Sequence, residues 1–177
     1  MSAAAPVLAI DRALLAIDPG SICGWAVRTS AGVVASGVWN LAPRRGDSPG
    51  IRYLKLRSRL TDVKDRFPGL DVVAVEQAHH RGGAATEYAI GIVTHVQSWC
   101  AEVGVEHLVV HGRHVKKLAT GRGNADKAAI IAAAERRWPG WSPATDDEAD
   151  ARWIAEAAAH ELAAPSAVSR NQGAPRA

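Results

Sequence analysis

From Ala13 to Asp18 the chain reads ALLAID, an apolar run stopped by Pro19-Gly20, and this pattern predicts a strand that ends in a turn. Residues 24–29 (GWAVRT) and 33–41 (VVASGVWNL) are two more β-rich runs, separated by Ser30-Ala31-Gly32 at the spacing of antiparallel hairpins. Over 51–67, Leu56, Leu60, Val63 and Phe67 recur at helical spacing, with Pro68-Gly69 as the stop. Residues 70–75 (LDVVAV) form a continuous β-branched run, as in a strand covered on both faces, and deliver Glu76 at its end. Beyond the loop at Arg81-Gly82-Gly83, the pattern predicts a long helix over Ala84–Val103, a strand over 105–110 and a helical turn over 114–118. After the loop Thr120-Gly121-Arg122-Gly123, Asn124 is expected to cap a helix running to Trp138. Thr145 and Glu148 read as a capping box that opens a last helix ending near Leu162.

Three strands, helix, strand, helix, strand, helices is the order of an α/β fold. It matches an RNase H-like mixed sheet, three antiparallel strands followed by parallel ones, flanked by helices. The division expected is a flexible N-terminus over 1–11, one domain over 12–163 and a disordered Pro/Ala/Ser-rich tail over 164–177. At 177 residues and 47% apolar composition the chain is long enough for one compact core and too apolar to be disordered. No apolar stretch reaches the length of a membrane span, and the opening segment reads as neither signal nor transit peptide. Cys23 and Cys100 are the only cysteines and sit in no CxxC or Cys/His cluster, which argues against a zinc site and a disulfide scaffold and fits a reducing cytoplasm. Cys100 is expected to pack rather than react.

In an α/β sheet the ends of adjacent parallel strands form a crevice, and Asp18 and Glu76 each close an apolar strand. The bland reading of Asp18 is an Asx-type turn before Pro-Gly, and that of Glu76 a salt bridge. A carboxylate after five apolar residues is nevertheless desolvated unless paired or bound to a cation. In the cluster Asp146, Asp147, Glu148, Asp150, acids of a first helical turn gain from the macrodipole, which accounts for Asp146 and Glu148. Asp147 and Asp150 share one helix face, where like charges repel unless something positive lies between them. Four oxygen donors with no Cys or His in the motifs suit Mg²⁺ or Mn²⁺, and two such ions would serve phosphodiester hydrolysis.

The chain carries 21 Lys and Arg against 18 Asp and Glu; with Asp18, Glu76, Asp147 and Asp150 set aside, 14 acids remain and the rest of the molecule is +7. A basic excess of this kind suits a polyanionic partner. The bases of residues 44–66 fit a solvated helix face. Arg113, Lys116, Lys117, Arg122 and Lys127 instead surround a glycine-rich loop that opens a helix, where backbone N–H groups receive phosphate. His79 is a DNA-contact candidate, and the six tryptophans are expected mostly in the core.

Four segments taken together resemble the RuvC-like Holliday junction resolvases: Asp18-Pro19-Gly20-Ser21 with Gly24, Val75-Glu76-Gln77, Val115-Lys116 with Gly121 to Lys127, and Asp147-Glu148-Ala149-Asp150-Ala151. They follow the family's order over nearly the whole chain. The resemblance implies an RNase H-like homodimer that binds four-way or branched DNA and nicks two strands symmetrically with divalent metal. It also implies that Asp18, Glu76, Asp147 and Asp150 are metal-binding catalytic acids, and that Lys127 acts near the scissile phosphate. Lys116, Lys117, Arg122, His79 and Arg81 complete the expected DNA-binding set. The family often has an aromatic residue where His79 stands, so a broader fork or flap nuclease is an alternative, as are an RNA–DNA hybrid nuclease and a non-cleaving junction-binding protein. The dimer is expected to use the helix Ala84–Val103, with Gly91, Ile92 and His95 at the contact. No membrane partner is expected, and the setting is the cytoplasm of a bacterial or phage-infected cell.

Overall fold

The computed structural model describes residues 12–77 and 83–163. The expected N-terminal and C-terminal tails, His79 and Arg81 lie outside these described residues. The elements run β1 (Ala13–Asp18), β2 (Ile22–Thr29), β3 (Gly32–Asn40), α1 (Ile51–Arg66), β4 (Leu70–Glu76), α2 (Ala84–Val103), β5 (Glu106–Val110), α3 (Gly112–Thr120), α4 (Lys127–Arg137) and α5 (Asp146–Ala163). One five-stranded sheet has the order β3-β2-β1-β4-β5. The first three strands are antiparallel, and β4 and β5 continue parallel to β1, the mixed arrangement expected.

The pleat sorts the side chains of β1 and β4 into two cores. Leu14, Ala16, Val72 and Ala74 face the layer of α3, α4 and α5, whereas Leu15, Ile17, Val73 and Val75 face α1 and α2. The two layers differ in grain. Leu56, Leu60, Ile92 and Trp99 pack the α1/α2 side, while α5 brings Ala149, Ala151, Ala155, Ala157, Ala158 and Ala159 to the other. A helix buried nearly all round needs small residues to lie close to a sheet, and α5 is such a helix.

Several local expectations shift. β2 begins at Ile22, two residues early, and the helical turn near His114 is a full helix over Gly112–Thr120. α4 is capped by Asp126, not Asn124: Asp126 Oδ1 accepts from the Ala129 N–H at 2.9 Å, and Asn124 sits in the preceding turn. The capping box at α5 is half formed. Thr145 Oγ1 accepts from the Glu148 N–H at 3.3 Å, but the Glu148 carboxylate reaches the Ala144 N–H instead of returning to Thr145.

Of the contact expected at Gly91, Ile92 and His95, Ile92 faces inward, while Gly91 and His95 are half-buried against Tyr53. Ile92 is fully buried, His95 stacks on Tyr53 at 4.4 Å between ring centroids, and Tyr53 Oη occupies the space a side chain at Gly91 would need. Cys23 and Cys100 are free and buried, and of the tryptophans Trp39, Trp99 and Trp153 are core while Trp25, Trp138 and Trp141 are half-buried. No helix among the described residues is long and apolar enough to cross a membrane.

Candidate active site: carboxylates at the strand ends under the first turn of α5

β1 and β4 are parallel neighbours with Ile17 opposite Val75, so the next residue on each, Asp18 and Glu76, stands at adjacent strand ends. Asp18 also pairs with Gly24 across the β1–β2 ladder. A Cβ at Gly24 would lie 1.9 Å from the Asp147 carbonyl oxygen and 3.2 Å from the Ala151 Cβ. The missing side chain therefore lets the first turn of α5 settle on β2 at the ladder position of Asp18. That contact brings Asp147 and Asp150 to the strand-end crevice, where all four acids are half-buried.

The electrostatics record how close they stand. Burial first, then the carboxylates of Asp150, Glu76, Asp147 and Asp146, hold the Asp18 carboxyl well above the usual carboxylate range. Asp150 is pushed up to about 6 by burial, then by Glu76 and Asp146, with Lys127 pulling the other way. Asp147 is raised as well, by burial and then by Asp146. Neither Asp18 nor Asp150 forms an ion pair with a described residue. A set of oxygen donors that disfavour one another's charge fits a hard divalent cation, which removes the repulsion that raises them. Among the described residues no three His, Cys, Asp or Glu side chains close around a metal position.

Lys127, the first residue of α4, is exposed and ion-paired with Asp146. That hydrogen bond raises the lysine and lowers the aspartate, each stabilising the other's charged form. Lys116, Lys117 and Arg122 are exposed on α3 and the loop after it, and no hydrogen bond or ion pair among the described residues joins their side chains to the acids. Thr120 ties that loop together: its hydroxyl donates to the Lys116 carbonyl at 2.9 Å and accepts from the Arg122 N–H at 3.2 Å.

Two side chains beside the site have roles that the sequence pattern did not show. Tyr88 donates its hydroxyl to the Gly20 carbonyl at 2.9 Å and so holds the loop that follows Asp18, with the Arg52 guanidinium 4.4 Å above its ring. Burial pushes the Tyr88 phenol up to about 12. Glu148, between Asp147 and Asp150, turns away from the crevice and is buried against Ser36 of β3. The first looks like any core aromatic on a helix and the second like any capping acid.

No family profile matches the chain. It is 32% identical over 145 residues to the crossover junction endodeoxyribonuclease RuvC of Ruegeria pomeroyi, an alignment covering 80% of this chain and 87% of that protein. Over 165 residues it is 32% identical to the enzyme of the same name from Maricaulis maris, covering 90% and 97%. Among solved structures, T. thermophilus RuvC in complex with a Holliday junction substrate superposes at a TM-score of 0.71 and 21% identity, over 85% of this chain and 95% of that one. A second Thermus thermophilus RuvC structure gives 0.67 at 23% identity, over 85% and 93%. These two share the fold, and the two sequence relatives align over 80% and 90% of this chain. On these grounds the chain belongs to the RuvC family of crossover junction endodeoxyribonucleases, on an RNase H-like sheet.

Proposed function

We propose that this nuclease binds four-way DNA junctions as a homodimer and hydrolyses two phosphodiester bonds by paired symmetric nicks, with Asp18, Glu76, Asp147 and Asp150 holding two Mg²⁺ or Mn²⁺ ions per site. The observation that carries the reading is the meeting of Asp18, Glu76, Asp147 and Asp150 at one crevice of a chain that is otherwise +7. The family is one of divalent-metal-dependent nucleases. Divalent metal there supplies Lewis-acid polarisation of the phosphate and a water of lowered pKa.

The chain's own residues do the rest. Above about pH 6 Asp150 gives up its proton and becomes an anionic donor. Lys127, exposed at the start of α4, exchanges Asp146 for a DNA phosphate, since an exposed ion pair is worth only about 0–1 kcal/mol. Lys116, Lys117 and Arg122 extend the basic track along the duplex arms, and His79 and Arg81 belong to the same set. The dimer contact moves to the outward side of α2, where Ile90 and Thr94 are exposed. Residues 12–163 act as one nuclease domain in the cytoplasm of a bacterial or phage-infected cell.

Incubating mobile and immobile four-way junctions with the protein over a Mg²⁺ titration tests this. Paired symmetric nicks that vanish with chelator are expected. Cutting of forks and flaps in preference to junctions would replace the proposal with a broader branched-DNA nuclease, and binding without cutting would replace it with a junction scaffold.

A further inference from the structure

The face that α5 lays on the sheet is rich in small side chains. Ala151, Ala155 and Ala158, on one side of α5, share a core with Ala16, Ala26 and Ala74, and small side chains give shallow ridges that hold a helix's rotation weakly. That turn matters here, because about 100° of rotation separates one helical residue from the next and decides whether Asp147 and Asp150 face the crevice. A buried polar cluster lies where a rotational stop is needed. Glu148, 6% exposed, accepts from Ser36 Oγ at 2.6 Å through one carboxylate oxygen and from the Ala144 N–H at 2.9 Å through the other. Arg152, one turn further along α5, donates Nε–H to the same Ser36 Oγ at 2.8 Å. Its guanidinium lies 3.9 Å from the Trp141 ring centroid and 5.3 Å from that of Trp138.

The Ser36 hydroxyl thus gives its one proton to Glu148 and a lone pair to Arg152, so both of its roles are used. Ser36 pairs with Ala26 on β2, two residues beyond the Gly24 on which the Asp147 carbonyl rests. Gly24 sets how near α5 comes, and the polar cluster has the geometry to set its rotation.

We propose that Ser36, Glu148 and Arg152 are positioning residues that clasp α5 to β3 and the 138–144 segment, and so hold Asp147 and Asp150 toward Asp18 and Glu76. The proposal rests on the reading of those four acids as the metal site. It acts on metal affinity, not on DNA, because the side chains of the clasp are engaged with β3 and the 138–144 segment. Outer residues that orient metal-binding side chains typically cost about 10- to 100-fold in metal affinity when changed.

Mn²⁺ binding to the DNA-free protein, followed by electron paramagnetic resonance, tests this together with the Mg²⁺ concentration for half-maximal nicking and the melting temperature. Ser36→Ala and Glu148→Gln should each weaken Mn²⁺ binding about tenfold and raise the half-maximal Mg²⁺ by a similar factor. Junction affinity in chelator should stay within about twofold of wild type, because no phosphate contact is lost. Ser36→Thr keeps the hydroxyl and should restore Mn²⁺ binding. Folded Ser36→Ala and Glu148→Gln proteins that melt earlier but bind Mn²⁺ like wild type would make the clasp a purely structural tie and overturn the proposal. Asp150→Asn serves as the control: if it also binds Mn²⁺ like wild type, the reading of the acids has failed, not that of the clasp.

Discussion

The two halves of α5 each carry carboxylates into the protein, with opposite provision for their charge. In the C-terminal half Glu156 is 4% exposed and held between two arginines, Arg28 Nε at 3.2 Å and Arg137 at 3.2 Å. In the N-terminal half Asp150 has Glu76, Asp146 and Asp147 as its electrostatic neighbours and only the exposed Lys127 pulling against them. A buried charge with its counter-charges built in is part of the scaffold. A cluster of like charges at a strand-end crevice is stabilised further by a cation that arrives from solution. The contrast within one helix separates structure from chemistry more sharply than burial does.

Breaking the paired half should have the largest effect on stability. Removing one member of a buried ion pair costs about 3–5 kcal/mol, so Glu156→Ala is expected to lower the urea midpoint strongly while the folded fraction cuts at the wild-type rate. A loss of specific activity without a loss of stability would reverse the roles assigned to the two halves.

Asp150→Asn should do the opposite. Nicking is expected to fall by about 100-fold or more, while the metal-free melting temperature and the junction affinity in chelator hold or rise, because a repelling charge has gone. A well-folded variant that still cuts at the wild-type rate would remove Asp150 from the site.

Gly24→Ala sharpens the comparison, since it pushes the first turn of α5 off β2 and leaves the Glu156 end alone. Overpacking of this kind costs about 1–3 kcal/mol, and metal-dependent cutting should fall out of proportion to the lost stability. Wild-type Mn²⁺ affinity in this variant would show that the close approach is not what assembles the acids.

The pH response is smaller and has a defined sign. Asp150 has a folded pKa of about 6 against an ordinary 3.8, so its contribution to stability is present at the acidic end and lost as pH rises through about 6. Between pH 5 and pH 7.5 the metal-free protein should lose on the order of 2–4 °C in melting temperature, and Mg²⁺ should restore more at pH 7.5 than at pH 5. Asp18 and Asp147, raised as well, add to the same slope, so Asp150→Asn should make the profile shallower, and an unchanged slope would assign it to those groups.

Asp146→Asn should give the smallest effect. Freeing Lys127 from an exposed pair is expected to shift the melting temperature by less than about 2 °C and raise junction affinity by up to about threefold. A fall in affinity would mean that Asp146 presents Lys127 to DNA instead of competing for it.

Much of the site could be read along the chain because its chemistry is local to element ends. Asp18 and Glu76 each close a run of apolar residues, and Asp147 and Asp150 share a helical spacing that a cap does not require. Where several residues were chemically equivalent, only geometry chose. Asn124 and Asp126 are both good caps, and Asp126 is the one whose oxygen meets the Ala129 N–H. Ile92 and Ile90 are both apolar on α2, yet one is fully buried and the other 41% exposed, because α1 and the sheet cover one side of that helix.

The sequence by itself determined most of the elements, their order and the mixed sheet, and showed which acids close strands or share a helix face, since strand and helix periodicity, turn residues and caps act over a few positions. The tertiary structure alone decided which groups meet across the chain: Ser36 with Glu148, 112 residues apart, Arg28 with Glu156, 128 apart, and Gly24 with the carbonyl of Asp147. The physical reason is that such contacts depend on how deeply and at what rotation one helix lies on a sheet. That is a property of all the alanines and glycines beneath it at once, which no short window of sequence contains.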